Sequence, residues 1–279
     1  MNGLMILGTA SDVGKSMICT ALCRILADEG VKVTPFKSQN MSNFTEAIGE
    51  GTEISRAQFI QAEAAKTAPS MYMNPIMLML KAEMTSEVHI LGEQFGAMRG
   101  MEYREHYFER ARAAIKTSLA QLAENYETVI IEGAGSPAEV NLMARDVVNM
   151  RVAEIANIPA ILVADIDRGG AIAAVVGTLQ LLNEKHRSFV KGIILNRFHG
   201  DISLFQEGID FIETYTGIPV VGVIPYKANH GIEEEDSNRV TQVAPQDVDR
   251  YDAWAAHVRR HLDWALVKRI IEEGMDKEG

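Results

Sequence analysis

One segment constrains this chain more than any other: Gly8-Thr9-Ala10-Ser11-Asp12-Val13-Gly14-Lys15-Ser16. It follows the apolar run Leu4–Leu7 and opens a helical pattern over Lys15–Glu29. A strand, a glycine-containing turn and a helix in that order make a phosphate loop, whose backbone N–H groups surround phosphate oxygens at a helix N-terminus. Lys15 reaches toward β- and γ-phosphates, and the Ser16 hydroxyl is placed to hold Mg2+. Glycine at position 14 lets the backbone approach the phosphates. The expected nucleotide contacts are Thr9, Ala10, Ser11, Asp12, Val13, Gly14, Lys15 and Ser16. In the usual pattern G-x-x-x-x-G-K-[ST] the first glycine would fall at Thr9; here it is Gly8, which marks a subclass.

The rest of the chain repeats the strand-then-helix rhythm. Short apolar runs at Leu4–Leu7, Val31–Phe36, Thr128–Glu132, Ala160–Ala164, Gly192–Asn196 and Val220–Ile224 read as strands. Several are apolar without alternation, such as Val129-Ile130-Ile131, the pattern of a strand buried on both faces. Helical stretches at Ser55–Lys66, Tyr103–Asn125, Val147–Ala156, Ala171–Lys185 and Leu204–Thr216 separate them. The expected fold is therefore α/β: a doubly wound, mostly parallel sheet flanked by helices. Residues 71–101, rich in methionine, read as loops or a small excursion near the site, their methionines packing the core. An acidic run, Glu233–Asp236, precedes polar sequence to about Gln246. Tyr251, Trp254, Ala255, Val258 and Leu262 then fall at helical spacing, and Asp263 is placed to cap a second short helix. The expected organisation is a nucleotide-binding domain over residues 1–237, then a linker and short C-terminal helical tail over 238–279.

Further site candidates sit at strand ends, because ligands of open α/β sheets bind outside the carboxyl ends of the strands. Glu132, ahead of Gly133-Ala134-Gly135, is expected to be a second metal ligand beside Ser16. Asp165 and Asp167 in Asp165–Gly170 are candidates for metal, phosphate or substrate contact, with a structural ion pair as the alternative. Lys37 is placed to stabilise a transferring phosphoryl group. Asn196 and Arg197 close a strand, and Asn196 is a candidate for hydrogen bonding a purine base in a pocket lined by Pro225; turn chemistry explains the asparagine equally. Lys15, Lys37, Glu132, Asp165 and Asp167 make up the expected catalytic set.

Composition excludes other classes. A formal net charge of −11 argues against general binding to nucleic acid or to an anionic membrane. No apolar run approaches the ~18 residues of a membrane span, and the N-terminal run reads as a strand without a basic leader. The cytoplasm is the expected location. Cys19 and Cys23, four apart on one helix, read as buried thiols, not as a metal site or disulfide framework. His257 and His261 are also four apart, with no third ligand apparent, and read as surface residues.

Taken together, the phosphate loop, Phe36–Met41, Glu53–Gln58, Met73-Asn74-Pro75, Glu132–Glu139, Asp165–Gly170 and Glu235-Asp236-Ser237 resemble cobyric acid synthase, in order, over residues 4–237. A similar phosphate loop occurs in dethiobiotin synthetase of the same broad superfamily. The resemblance implies ATP and Mg2+ as cofactors and a corrinoid substrate, adenosylcobyrinic acid a,c-diamide. Its side-chain carboxylates would be amidated through an acyl phosphate to give cobyric acid, in cobalamin biosynthesis. It also implies a glutamine amidotransferase domain with a cysteine nucleophile, which these 279 residues do not show; Cys19 and Cys23 are in the wrong place for that role. The expected ammonia source is therefore free ammonia or a separate glutamine amidotransferase subunit. A homodimer is compatible with the sequence. The alternatives are a dethiobiotin synthetase-like ATP-dependent enzyme and a non-catalytic nucleotide- or corrinoid-binding remnant. A nucleotide switch related to partitioning ATPases would carry a second lysine early in the loop, and Thr9–Val13 has none.

Overall fold

The computed structural model describes residues 1–49, 51–80, 86–97, 101–232 and 249–275. In chain order, β1 (Asn2–Gly8) leads through the loop into α1 (Lys15–Asp28), followed by β2 (Val33–Phe36), β3 (Gln39–Met41) and the pair β4 (Thr45–Gly49) and β5 (Thr52–Ser55). Then come α2 (Arg56–Ala64), β6 (Ile76–Leu80), β7 (Ser86–Ile90), β8 (Glu93–Ala97), α3 (Met101–Asn125) and β9 (Thr128–Glu132). The second half runs α4 (Met150–Ala156), β10 (Ala160–Asp165), α5 (Ala171–Leu181), α6 (Glu184–Phe189), β11 (Val190–Phe198), α7 (Gln206–Thr216), β12 (Val220–Pro225), α8 (Asp249–Arg260) and α9 (Trp264–Glu273).

Among the described residues, six strands form one sheet in the order β12-β11-β10-β1-β9-β2, and every pairing in it is parallel. The apolar runs explain this arrangement. Successive side chains of a strand point to opposite faces. In β1, Leu4 and Ile6 join one core with α1, α8 and α9, whereas Met5 and Leu7 join the other with α3, α4 and α5. Only a sheet covered on both faces can bury such runs. With β1 between β9 and β10, the ends of these strands converge on the loop that follows β1.

The region expected to be irregular is more ordered than its sequence pattern suggests. β3, β6, β7 and β8 form a second sheet, and β4 pairs antiparallel with β5. β3 is three residues long, too short to show a periodicity, and its partner β6 comes only after α2. The methionines there do pack inward: Met73 and Met77 are buried. The helix expected over Ala171–Lys185 divides in two, because the Asn183 side chain accepts from the His186 amide at 2.8 Å and starts α6 anew. The acidic run Glu233–Asp236, the Glu235-Asp236-Ser237 segment and the boundary at 237/238 lie outside the described residues.

The C-terminal helices are built into the domain. Tyr251, Trp254, Val258, Leu262, Val267, Ile270 and Ile271 share a core with α1 and β1. The Trp254 indole donates to the carbonyl of Met17 at 2.8 Å. Glu29, just past α1, accepts from Arg259 (2.6 Å), Trp264 (2.8 Å) and Lys268 (3.0 Å). Burial pushes its carboxyl up, but the hydrogen bonds from Lys268 and Trp264 prevail and hold it below the ordinary value. Between α8 and α9 the chain lies along β12: the Val223 amide donates to His261, and the Asp263 amide to Val221. An edge strand that would otherwise offer unpaired backbone groups is thereby covered. Asp263 caps α9 as expected, accepting from Leu266 at 3.0 Å. His257 and His261, expected at the surface, are half-buried, and a His257 ring nitrogen bonds the Pro225 carbonyl at 2.9 Å. No helix among the described residues is long and apolar enough to cross a membrane.

Because Trp254 fills the space between the tail and α1, Trp254→Ala is expected to cost about 3–5 kcal/mol. Thermal denaturation measures this; a melting temperature within a degree of wild type would show that the tail contributes nothing to the fold.

Candidate active site

The loop between β1 and α1 is shaped by contacts that require glycine at two positions. Gly14 has φ +93°, and a Cβ there would lie 2.2 Å from the Asn196 amide nitrogen. At Gly8 a Cβ would lie 2.8 Å from the Lys15 ammonium, 2.8 Å from Val13 and 2.9 Å from the Ala10 carbonyl. The displaced first glycine of the motif thus has a physical reason: Lys15 folds back over Gly8. The Lys15 ammonium donates to the carbonyls of Ala10 at 2.9 Å and Gly135 at 3.2 Å, tying the phosphate loop to the loop after β9. Burial pushes the Lys15 ammonium down from its ordinary value; Glu132 opposes that shift and Lys37 adds to it.

Glu132, 2% exposed, is the hub of the site. Its Oε1 accepts from the Ser16 hydroxyl at 2.8 Å and from the Lys37 ammonium at 2.9 Å. Its Oε2 accepts from Gln61 at 2.5 Å. Burial alone would raise this carboxyl. The Lys37 charge and the hydrogen bonds from Lys37, Gln61 and Ser16 outweigh burial and hold it below the ordinary value. Lys37 is itself fixed through its backbone. Its amide donates to Met73 at 2.8 Å, and Asn74 donates to its carbonyl at 2.9 Å. The Met73-Asn74-Pro75 segment is therefore a clamp on Lys37.

The remaining candidates fall on the other side of the loop. Asn196 donates to the Val13 carbonyl at 2.9 Å, so its amide nitrogen braces the phosphate loop from below. One Asp165 oxygen pairs with Arg197 at 3.0 Å and Arg168 at 3.5 Å, and the other accepts from the Asp167 amide at 2.9 Å. Asp167 is exposed and meets His199 at 3.3 Å. Arg197 has φ +61°, a conformation uncommon outside glycine. Pro225 ends β12, and the following Tyr226 stacks on His199 with ring centroids 4.9 Å apart. The structure thus joins Ser16 and Lys37 to Glu132 by hydrogen bonds, with Lys15 close enough to feel the charges of Glu132 and Lys37. It places Asp165, Asp167, Asn196, Arg197 and Pro225 along the ends of β10, β11 and β12.

Two residues of the site went unread in the sequence. Gln61 is fully buried on α2, three residues after the fully buried Gln58; two glutamines three apart on one helix were the available signal. Asn149 accepts from the Ala134 amide at 3.1 Å and donates to the Ala134 carbonyl at 2.7 Å, clamping the loop after β9. Nothing local to Asn149 foretells that contact. Cys19 and Cys23 are buried free thiols, as expected, and burial pushes both thiols up.

A hydroxyl and a carboxylate 2.8 Å apart are hard oxygen donors suited to Mg2+. Ser16 and Glu132 are the residues that would hold it, with nucleotide phosphates and water supplying the other positions. No group of three His, Cys, Asp or Glu among the described residues could hold a metal without such help.

A parallel sheet with central β1 and a phosphate loop that leads into α1 define the phosphate-loop class of nucleotide-binding α/β proteins. A family model described as AAA domain (AAA_26) matches residues 2–234, and the chain belongs to that family. It is similar to cobyric acid synthases: 47% identical to that of Geobacillus thermodenitrificans over 88% of this chain and 49% of the relative, and 53% identical to that of Rippkaea orientalis over 81% and 46%. The chain spans about half the length of these relatives. Among solved structures, the signal recognition particle receptor FtsY of Elizabethkingia anophelis, in complex with GDP, is similar at 14% identity and a TM-score of 0.48, over 80% of this chain and 56% of that one.

Glu132→Gln leaves Lys37 buried without its charge partner, an expected loss of about 3–5 kcal/mol at pH 7. A carboxyl held low in the folded state stabilises above its unfolded pKa, and that stabilisation is lost as pH falls through the folded value. The difference in melting temperature between wild type and Glu132→Gln should therefore be largest near neutrality and shrink below about pH 4. An unchanging gap from pH 7 to pH 3 contradicts the ionised assignment. Gln61→Leu removes one hydrogen bond to the carboxylate, an expected loss of about 1.5–3 kcal/mol by denaturant titration.

Proposed function

We propose that this chain is the ATP-dependent amide synthase part of a cobyric acid synthase-type enzyme. It takes adenosylcobyrinic acid a,c-diamide toward cobyric acid in the cytoplasm, with ammonia supplied from outside these 279 residues. The observation that carries the reading is the group Lys15–Ser16–Lys37–Glu132, in which two buried cations and a hydroxyl–carboxylate pair meet at the phosphate loop. The similarity to cobyric acid synthases over most of this chain supports the choice of substrate.

In this reading a corrinoid carboxylate oxygen attacks the γ-phosphorus of ATP, the bond to the β-phosphate oxygen breaks, and ADP leaves. Ammonia then attacks the acyl carbon, loses a proton and expels inorganic phosphate, leaving the amide. Lys15 and Lys37 offset charge on the transferring phosphoryl group, and the loop amides hold the polyphosphate. Ser16 and Glu132 are the residues that would hold Mg2+, which would supply charge neutralisation for the nucleotide phosphates. Thr9 to Val13 form the cradle, and Asn196, Arg197 and Pro225 lie on the side where the base is expected. Asp165 and Asp167 hold that side through Arg197 and His199. Catalysis here is mainly positioning and charge neutralisation. Cys19 and Cys23, buried with raised pKa values, are unsuited to glutamine hydrolysis, which supports an external ammonia source.

The test is ADP release and amide formation with Mg-ATP and adenosylcobyrinic acid a,c-diamide, comparing ammonium with glutamine, and diaminopelargonic acid as a rival acceptor. Product is expected with ammonium and corrinoid only, and Lys15→Ala should lower kcat by about 10²–10³-fold. Turnover of diaminopelargonic acid, or no corrinoid-dependent ADP from a protein that binds Mg-ATP, defeats the assignment.

A further inference from the structure

At the other end of the sheet, where β9 and β10 begin, a cleft of about 600 Å3 lies between α3 and α4. Its lining includes Val129 at the start of β9 and Ile158 just ahead of β10. Ligands of open α/β sheets ordinarily bind outside the carboxyl ends of the strands. This cleft is therefore separate from the site around Glu132, which closes the opposite end of β9.

The helical period builds its walls. Arg112, Lys116, Leu119, Ala120 and Ala123 line it from α3, at spacings of three and four that share one helix face. Arg151, Glu154 and Ile155 line it from α4 by the same rule. Ala120, Ala123 and Ala156 are too small to fill the space between the helices, so the cleft stays open. A mostly apolar lining with a few polar groups, at this volume, is the character of a small-molecule site.

The charges around it are unbalanced. Three cations, Arg112, Lys116 and Arg151, face one carboxylate, Glu154. Glu154 is already engaged by Arg151 at 2.9 Å, Lys185 at 3.0 Å and a His186 ring nitrogen at 3.1 Å. Burial pushes its carboxyl up, but the hydrogen bond from Lys185 and the Arg151 charge prevail and hold it below the ordinary value. Arg112 and Lys116 are exposed and make no hydrogen bond or ion pair with any described residue. Like charges four apart on a helix repel each other. The chain holds 38 Asp and Glu against 27 Lys and Arg, yet no described acid pairs with these two. A dianion seated between them would relieve that repulsion, and the apolar lining below would take an apolar body.

We propose that the cleft between α3 and α4 binds a phosphate monoester of an apolar alcohol or phenol. Arg112 and Lys116 hold the phosphate, Arg151 adds a donor from the facing wall, and the apolar body rests on Leu119, Val129, Ile155 and Ile158. A phosphate monoester carries close to two negative charges at pH 7, matching the two unpaired cations. The proposal is independent of the acyl-activating reading.

The experiment titrates 1-naphthyl phosphate calorimetrically into the full chain, with saturating Mg-ADP present to occupy the nucleotide site. One probe per chain is expected. The double variant Arg112→Gln/Lys116→Gln should raise the Kd about tenfold or more, the range of lost charge-assisted hydrogen bonds. Its melting temperature should stay unchanged, because both side chains are exposed and unpaired among the described residues. Affinity should fall with ionic strength in wild type and much less in the double variant. Inorganic phosphate and 1-naphthol should each bind more weakly than the joined molecule, and Lys15→Ala should leave the Kd unchanged. No heat, or an equal Kd in the double variant, overturns the site. Inorganic phosphate binding as tightly as the ester overturns the apolar body, and 1-naphthol doing so overturns the anionic head. Probe binding lost in Lys15→Ala assigns the probe to the phosphate loop and overturns the proposal, while corrinoid turnover is decided separately.

Discussion

The organisation of this site depends on keeping one carboxylate ionised inside the protein. Glu132 ends a central strand with almost no access to water, and an unpaired charge there would be prohibitive. Its two oxygens are met by Ser16 from the phosphate loop, Lys37 from beyond β2 and Gln61 from α2. Three separate elements are thus bound to one point. The phosphate loop, Lys37 and α2 are therefore aligned by a single shared partner.

The second sheet and its approaches follow from that requirement. Lys37 can serve only if its backbone is held still, and the Met73–Pro75 segment does so with a hydrogen bond on each side of the residue. That segment leads directly into β6, which pairs with β3 and carries the sheet outward through β7 and β8. On the far side, Asn196 and Asn149 hold the phosphate loop and the loop after β9 from beneath. Supports on both flanks hold these groups in place, as the phosphoryl transfer proposed above would require.

The C-terminal helices serve the same end from behind. They fill the groove along α1 and cover the edge at β12. α1 is the helix that opens at Lys15, so its burial against Trp254 and its tether at Glu29 fix the direction of its first turn. The described part of the tail thereby supports the helix that carries Lys15 and Ser16.

Much of this protein was legible in its sequence. Uninterrupted apolar runs can be buried only between two helical layers, and the residue pattern around Lys15 occurs where a strand feeds a helix. β9 was read to its last residue, and motif and strand-end position singled out Lys15, Ser16, Lys37 and Glu132, which the fold brings close together. Tertiary structure alone decided the partners. Gln61 meets Glu132 across 71 residues and Asn196 meets Val13 across 183. Contacts at such separation leave no local periodicity. The small second sheet was hidden for the same reason: its three-residue strand β3 pairs with a segment beyond an intervening helix. Local pattern records which faces must be buried, whereas the identity of what buries them is settled only when the chain closes on itself.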